Sequence, residues 1–288
     1  MRSALVSGSG GIEAREKVPV EADRAFEQVT GCIVRLAELS GSTRVVLGVA
    51  GRVNRRSGRL ERARNLPLGD LDDLSAEVLS AATATEVELA GDAELAAVGE
   101  AYFGAGTATG TTAYLTLSTG LGAAATAGGR VLAGEVVGFQ IGFLRLLGLE
   151  RPMVDALASG QRIRAMERST GRIVGDVQGL VAAAADGDAD AVTALDEIVE
   201  AAAAAAALMC HVCSPDVLVV GGGLGLGAQD VLLPRLARAL GDPALSVSAS
   251  VDVRPARLGD DAGLAGAGAW DRARPILASS PLTETRKA

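Results

Sequence analysis

Tyr114-Leu115-Thr116-Leu117-Ser118-Thr119-Gly120-Leu121-Gly122 is the stretch on which the reading of the fold turns. Tyr114, Thr116 and Ser118 alternate with Leu115 and Leu117, the period of a β-strand with two unlike faces. The strand runs into small residues, where backbone N–H groups can approach an oxygen-rich ligand with no side chain in the way. Residues 123–126, the Ala127-Gly128-Gly129 turn and residues 130–133 read as the hairpin that follows. Two readings of the turn stay open, a phosphate cradle and an ordinary glycine hairpin, because short glycine motifs also match by accident.

Upstream, residues 3–6 and 13–20 read as strands joined through Gly8-Ser9-Gly10-Gly11. Residues 23–39 read as an amphipathic helix with Phe26, Val29, Ile33 and Leu36 or Ala37 on one face, and 44–49 as a buried strand ending near Gly51. A helix at 71–82, a strand at 86–90 and a helix at 93–103 follow. The Gly- and Thr-rich bridge 104–112 is the expected domain boundary. Downstream, helices are expected near 153–158, 177–186 and 189–212, then a strand at 216–220 running into Gly221-Gly222-Gly223. A helix at 231–240, a strand at 246–253 and a helix at 262–272 complete the pattern. Strands alternating with helices in two successive blocks indicate an α/β architecture.

Composition narrows the function. With 288 residues the chain can bury a large core, and 49% apolar with 22% charged residues is the balance of a folded soluble protein. Aromatics make up only 2%, so the core must come from Ala, Val and Leu. A net charge of −8 argues against a nucleic-acid partner. The longest apolar run, 201–209, falls well short of the roughly 20 residues that span a membrane. No signal-peptide core opens the chain, which points to the cytoplasm. Three cysteines give no disulfide framework. Cys210, His211 and Cys213 cluster, but the i, i+3 spacing on an alanine-rich helix also suits two buried thiols, and a closed zinc site wants four ligands.

Four constellations carry chemistry. In Gly91-Asp92-Ala93-Glu94, Asp92 falls between a strand and a helix, where it is either a carboxylate facing a cleft or a helix N-cap. Ser118 to Gly122 is the turn described above. Gly221-Gly222-Gly223 after an apolar strand suits close approach to a nucleotide, and Gly223 to Ala228 also fits the loose dinucleotide pattern G-x-G-x-x-A, with Asp252 downstream for a ribose. Asn65-Leu66-Pro67 is either a polar contact in a loop or a turn.

Their order adds specificity. The succession Gly48-Val49-Ala50-Gly51-Arg52-Val53, Asn65-Leu66-Pro67, Gly91-Asp92-Ala93-Glu94, Leu117 to Gly122 and Pro215 to Gly223 resembles the ROK family of bacterial sugar kinases and sugar-responsive repressors, over nearly the whole chain from Arg2 to about Trp270. The resemblance implies an actin-like ATPase (ribonuclease H-like) α/β fold with two domains and a cleft between them: 1–110 plus 266–288, and 111–265. It implies a glucokinase-like transfer of phosphate from ATP, with Mg2+, to a sugar or sugar-like polyol, and a homodimer as an assembly. By this resemblance Asp92 is the catalytic base. Ser118, Thr119, Gly120 and Gly122 hold phosphates, and Gly221, Gly222 and Gly223 border the adenosine. Asn65, Gly91, Glu94, Gln140 and Asp155 face the substrate.

The departures from the family matter as much. The family begins with a strand and an Asp-x-Gly-Gly-Thr turn that contacts phosphates and magnesium; Met1 falls just after that place, and Arg2 to Val6 matches the second strand. Two expectations stay open, a start lying further upstream or a chain without ATP chemistry. The Asn-Asp-x-Asn sugar loop reads Gly91-Asp92-Ala93-Glu94, and Gly-Glu-Ile-Gly-His reads Phe139-Gln140-Ile141-Gly142-Phe143. The cysteine-rich zinc loop is absent, so no structural zinc is expected, and no winged helix precedes the domain, so no DNA binding is expected. The competing functions are therefore a sugar kinase, a catalytically silent sugar- or nucleotide-binding regulatory protein, and a dinucleotide-dependent enzyme.

Overall fold

The computed structural model describes residues 1–63, 74–134, 138–145, 150, 152–242 and 251–275. In the first block, β1 (Arg2–Val6) and β2 (Ile12–Lys17) form an antiparallel ladder, and α1 (Ala25–Ser40) follows a short 3-10 turn. Next come β3 (Arg44–Val49), a hairpin of β4 (Arg52–Asn54) and β5 (Arg59–Arg62), α2 (Ala76–Thr83), β6 (Glu86–Gly91) and α3 (Asp92–Phe103). β3 and β6 pair in parallel from Arg44↔Glu86 to Val49↔Gly91, over a small core of Ile33, Leu79, Val87 and Leu89. Among the described residues no strand joins the β1–β2 ladder to the β3–β6 ladder, although α1 and α10 (Ala262–Ala273) each touch both β1 and β3.

The second block is β7 (Thr111–Leu117), β8 (Leu121–Ala127), β9 (Arg130–Val131), α4 (Val154–Leu157), α5 (Gly160–Thr170), α6 (Val177–Ala185), α7 (Ala189–Cys213), β10 (Val217–Gly221), α8 (Gly222–Gly227), α9 (Gln229–Leu240) and β11 (Asp252–Pro255), with α10 closing the chain. Its sheet has the order β11-β10-β7-β8-β9, with β10 parallel to both neighbours and β8 and β9 antiparallel. Four helices, α2, α5, α6 and α7, start where short polar side chains satisfy the first free N–H groups. Ser75 accepts from Val78 N, Ser159 from Gln161 N, Asp176 from Gly179 N and Asp188 from Ala191 N.

The alternation in β7 sorts its side chains as expected. Ala113, Leu115 and Leu117 enter the main core with Ile198, Ala202 and Met209 of α7 and Leu232 and Leu236 of α9. Tyr114 faces the other way, against Ala96 and Ala97 of α3 and Ala262 of α10. Alanine serves where bulk is excluded: it lets the long helix α7 lie close on the sheet. Glycine does the same where α3 crosses α10. A Cβ on Gly99 would stand 2.1 Å from Ala262 O, and one on Gly266 1.8 Å from Leu95 O.

Three elements escape the sequence reading: the β4–β5 hairpin, α5 and α8. The strand expected at 246–253 is seen only as Asp252–Pro255, and 243–250 lie outside the described residues. No described helix is long and apolar enough to cross a membrane.

Candidate active site

Three turns meet at the carboxyl ends of strands, the place where open α/β sheets hold their ligands. β6 delivers Gly91 to Asp92, β7 delivers Leu117 to Ser118, and β10 delivers Gly221 to Gly222. Thr116 lies opposite Gly221 in the parallel pair, so the Ser118 turn and Gly222 share one end of the sheet. They touch: Gly222 has φ +83°, and a Cβ there would stand 2.2 Å from Leu117 O and 2.7 Å from Thr116 Oγ1. The backbone sign and the space both require glycine. The hairpin in turn reaches α3, since a Cβ on Gly122 would lie 3.4 Å from Ala93 Cβ, the neighbour of Asp92.

The Ser118 turn is clamped from behind. Ser118 N donates to Gly120 O at 2.9 Å, and Ser118 O accepts from Gly160 N at 2.8 Å. Leu121 N donates to Asp155 Oδ1 at 2.6 Å, while Asp155 Oδ2 accepts from Gln161 Nε2 at 2.6 Å. Both oxygens of Asp155 are thus engaged in bracing the turn, where the resemblance had suggested a substrate contact. Ser118 and Thr119 are exposed, and their hydroxyls have no hydrogen bond within the described residues. Beside them a Cβ on Gly223 would meet nothing within 4 Å, so there is room next to the turn.

Asp92 is the first residue of α3 and not its cap. Its Oδ1 accepts from Ala93 N at 2.8 Å, whereas Gly91 N is satisfied by Glu94 Oε2 at 3.2 Å. Asp92 reaches solvent, yet protein crowds its carboxyl on most sides. Desolvation raises its pKa above the ordinary 3.8 and the Glu94 charge adds to this, against the Ala93 hydrogen bond. The shift makes it a stronger base than a free carboxylate. Behind the site, burial pushes the Tyr114 phenol up to about 12.

Glu94 is engaged by three partners. Its Oε1 accepts from Gly138 N at 3.2 Å and pairs with the Arg55 guanidinium, and its Oε2 takes Gly91 N. Gln140 is exposed just before the 3-10 turn Ile141–Phe143, and the Arg62 guanidinium stands 6.0 Å over the Phe143 ring. Asn65 lies outside the described residues. Arg55 was not read from the sequence; in the run Arg55-Arg56-Ser57-Gly58-Arg59 it looks like any solvated turn arginine, and only the pairing with Glu94 singles it out.

The dinucleotide reading fails on register. Asp252 pairs with Val217, at the opposite end of β10 from Gly221 and about 13 Å away at the usual rise per residue. It is also held in an ion pair with Arg254. Cys210 and Cys213 are thiols at neutral pH, because burial pushes both up to about 11, and Cys213 Sγ donates to Met209 O at 3.0 Å. Among the described residues no group of three or more His, Cys, Asp or Glu is placed to hold a metal ion.

The model of the ROK family matches residues 1–274, and the chain belongs to that family. The chain is 32% identical over 276 residues to the bifunctional enzyme NanE/NanK of Brucella melitensis, covering 92% of this chain and 50% of that protein, so it spans about half the length of that relative. It is 26% identical over 265 residues to the glucokinase of Thermotoga maritima, covering 84% of this chain and 83% of that protein. Among solved structures it is similar to the ROK hexokinase of Thermus thermophilus, with a TM-score of 0.76, 28% identity and 93% of each chain covered. The fold is that of the ROK kinases, the actin-like ATPase fold.

Proposed function

We propose that this protein transfers the γ-phosphoryl group of ATP to a hydroxyl of a sugar or sugar-like polyol, with Asp92 as general base. The observation that carries the reading is the meeting of the Asp92 turn, the Ser118 turn and Gly222 at one end of the strands. Asp92 takes the proton of the acceptor hydroxyl as its oxygen bonds to the γ-phosphorus and the bond to the β-phosphate oxygen breaks, releasing ADP. Positioning and charge placement do most of the work in such a transfer. The free hydroxyls of Ser118 and Thr119 and the N–H groups of Thr119 and Gly120 hold phosphate, with Gly122 in the same turn, and Gly221, Gly222 and Gly223 border the nucleoside. Gly91, Glu94 and Gln140 line the acceptor side, Asn65 is assigned to it by the family resemblance alone, and Asp155 serves the phosphate turn. Mg2+ suits this donor set, because it is bound chiefly by nucleotide oxygens with one or two carboxylates, and Asp92 with the two hydroxyls borders that place. The ion supplies charge neutralisation on the phosphates. The relatives named NanK, glucokinase and hexokinase support the substrate class. The proposed division is 1–110 plus 266–288 against 111–265; the clusters around Ile33 and around Leu115 fall on opposite sides of it, while two further clusters, around Ala97 and Val98, bridge it, and closure of the cleft between the parts would exclude water.

One observation favours a second reading, a regulatory protein that binds sugar or nucleotide without turnover: among the described residues no strand joins the β3–β6 ladder that delivers Asp92 to β1–β2. Sugar-dependent ADP release with Mg-ATP separates the two. Turnover on N-acetylmannosamine or glucose, lost in Asp92→Ala, supports the kinase; calorimetric ATP binding with no turnover on any sugar supports the second.

A further inference from the structure

Arg55 and Glu94 form an ion pair that is almost wholly enclosed, with side chains 8% and 3% exposed. Such a pair is poor value as a stabiliser: desolvating two ions takes back much of their attraction, and apolar residues of similar volume often do as well or better. What this one does is connect. Glu94 holds the α3 start through Gly91 N and the segment after β9 through Gly138 N. Arg55, from the β4–β5 turn, holds that same segment through Gly134 O at 3.0 Å. Three separate pieces of chain are thereby fixed around the turn that carries Asp92. One donor is left over: Arg55 Nε is buried and has no hydrogen-bond partner among the described residues. A buried donor left unpaired is costly, and an oxygen arriving with a ligand relieves it.

We infer that the Arg55–Glu94 pair positions the acceptor side of this site, setting the Asp92 turn against the Gly134 and Gly138 segment and offering Arg55 Nε–H to an oxygen of the bound sugar. The inference rests on the kinase reading above and assigns Arg55 as a determinant of acceptor binding, separate from the nucleotide side. Glu94 acts as the residue that aims Arg55 and Gly91, in place of a direct sugar ligand.

The test compares wild type, Arg55→Lys and the apolar double variant Arg55→Met/Glu94→Met in steady-state kinetics with N-acetylmannosamine and with glucose. Mg-ATP is varied separately, and sugar binding is measured by calorimetry. The double variant removes both charges together and leaves no ion unpaired; the Gly91 N and Gly138 N donors that it frees are expected to lower the Tm, and a cooperative thermal transition checks that it folds. The expected result is a sugar KM and Kd raised about tenfold or more in both variants, the loss of one hydrogen bond to a charged group, with the KM for Mg-ATP unchanged. Arg55→Lys keeps the charge and lacks the Nε–H, so failure of lysine to rescue is part of the expectation. A folded double variant whose sugar KM and Kd stay within about twofold of wild type overturns the inference and leaves the kinase reading standing. A wild type that neither binds nor phosphorylates either sugar overturns both. A wild type that binds sugar without turnover overturns only the kinase reading, and the Kd comparison then decides the role of Arg55.

Discussion

β10 and β3 are parallel strands of similar apolar make-up, yet every residue of β10 is buried while β3 is buried only at Val49. The difference lies in their neighbours. β10 has a strand on each edge and helices on both faces, whereas among the described residues β3 is paired only with β6. Burial is conferred by the layer a strand joins and not by its own residues. The proposed nucleotide half of the site therefore stands on the more deeply buried part of the molecule. Asp92, Glu94 and Arg55 sit where that part meets the looser one. Local stability follows such burial, so the proposed acceptor side is expected to open locally before the proposed nucleotide side.

The contrast can be broken by truncation. Leu115→Ala, in the centre of the five-stranded sheet, is expected to cost about 2–5 kcal/mol, the range for a large-to-small change in a packed core. Leu47→Ala in half-buried β3 is expected to cost about 1 kcal/mol, in proportion to its smaller buried area. Chemical denaturation of the two variants measures both; equal losses would show that the two layers are equally packed. Gly222→Ala is expected to cost about 1–3 kcal/mol, because alanine is strained at φ +83° and its methyl meets Leu117 O. It should weaken Mg-ATP binding in calorimetry and leave sugar binding alone. Asp155→Asn exchanges a charged acceptor for a neutral one at Leu121 N and is expected to cost about 1 kcal/mol. A rise in the KM for ATP without a rise in the KM for sugar would place Asp155 with the phosphate turn; the reverse pattern would return it to the substrate.

Much of this was legible in the sequence. The period-two pattern at Tyr114 to Leu117 gave the strand and its faces, and the order of the glycine turns gave the family before any fold was seen. The elements that were missed share a cause. α5 is polar on most of its surface, α8 is built of glycine and leucine, and the β4–β5 strands are too short for alternation to show. Asp252 misled because spacing along the chain says nothing of which end of a strand a residue occupies; the register with Val217 decides it. The role of Arg55 and the bracing contact of Asp155 are hidden from the sequence for another reason. Their roles depend on partners 39 and 34 positions away, which no local pattern reveals.

The smallest effect expected is on pH. Enclosure favours the acid form of Asp92, so the acid limb of kcat/KM should fall at a pH above the ordinary 3.8 of an aspartate. A limb at or below that value would show an open, unperturbed carboxylate. The same sign governs stability. A pKa raised on folding means that the ionised group costs stability, beginning above its unfolded pKa and in full above its folded one.

That sign makes Asp92→Asn the most direct test of the central claim. Turnover of Mg-ATP with a sugar acceptor, and the Tm at pH 7, are measured on the same preparations of wild type and variant. The account predicts that kcat falls by about 10²–10⁴, the usual contribution of a positioned base, while the Tm is unchanged or higher because an enclosed charge has been removed. Undiminished turnover in Asp92→Asn would contradict it.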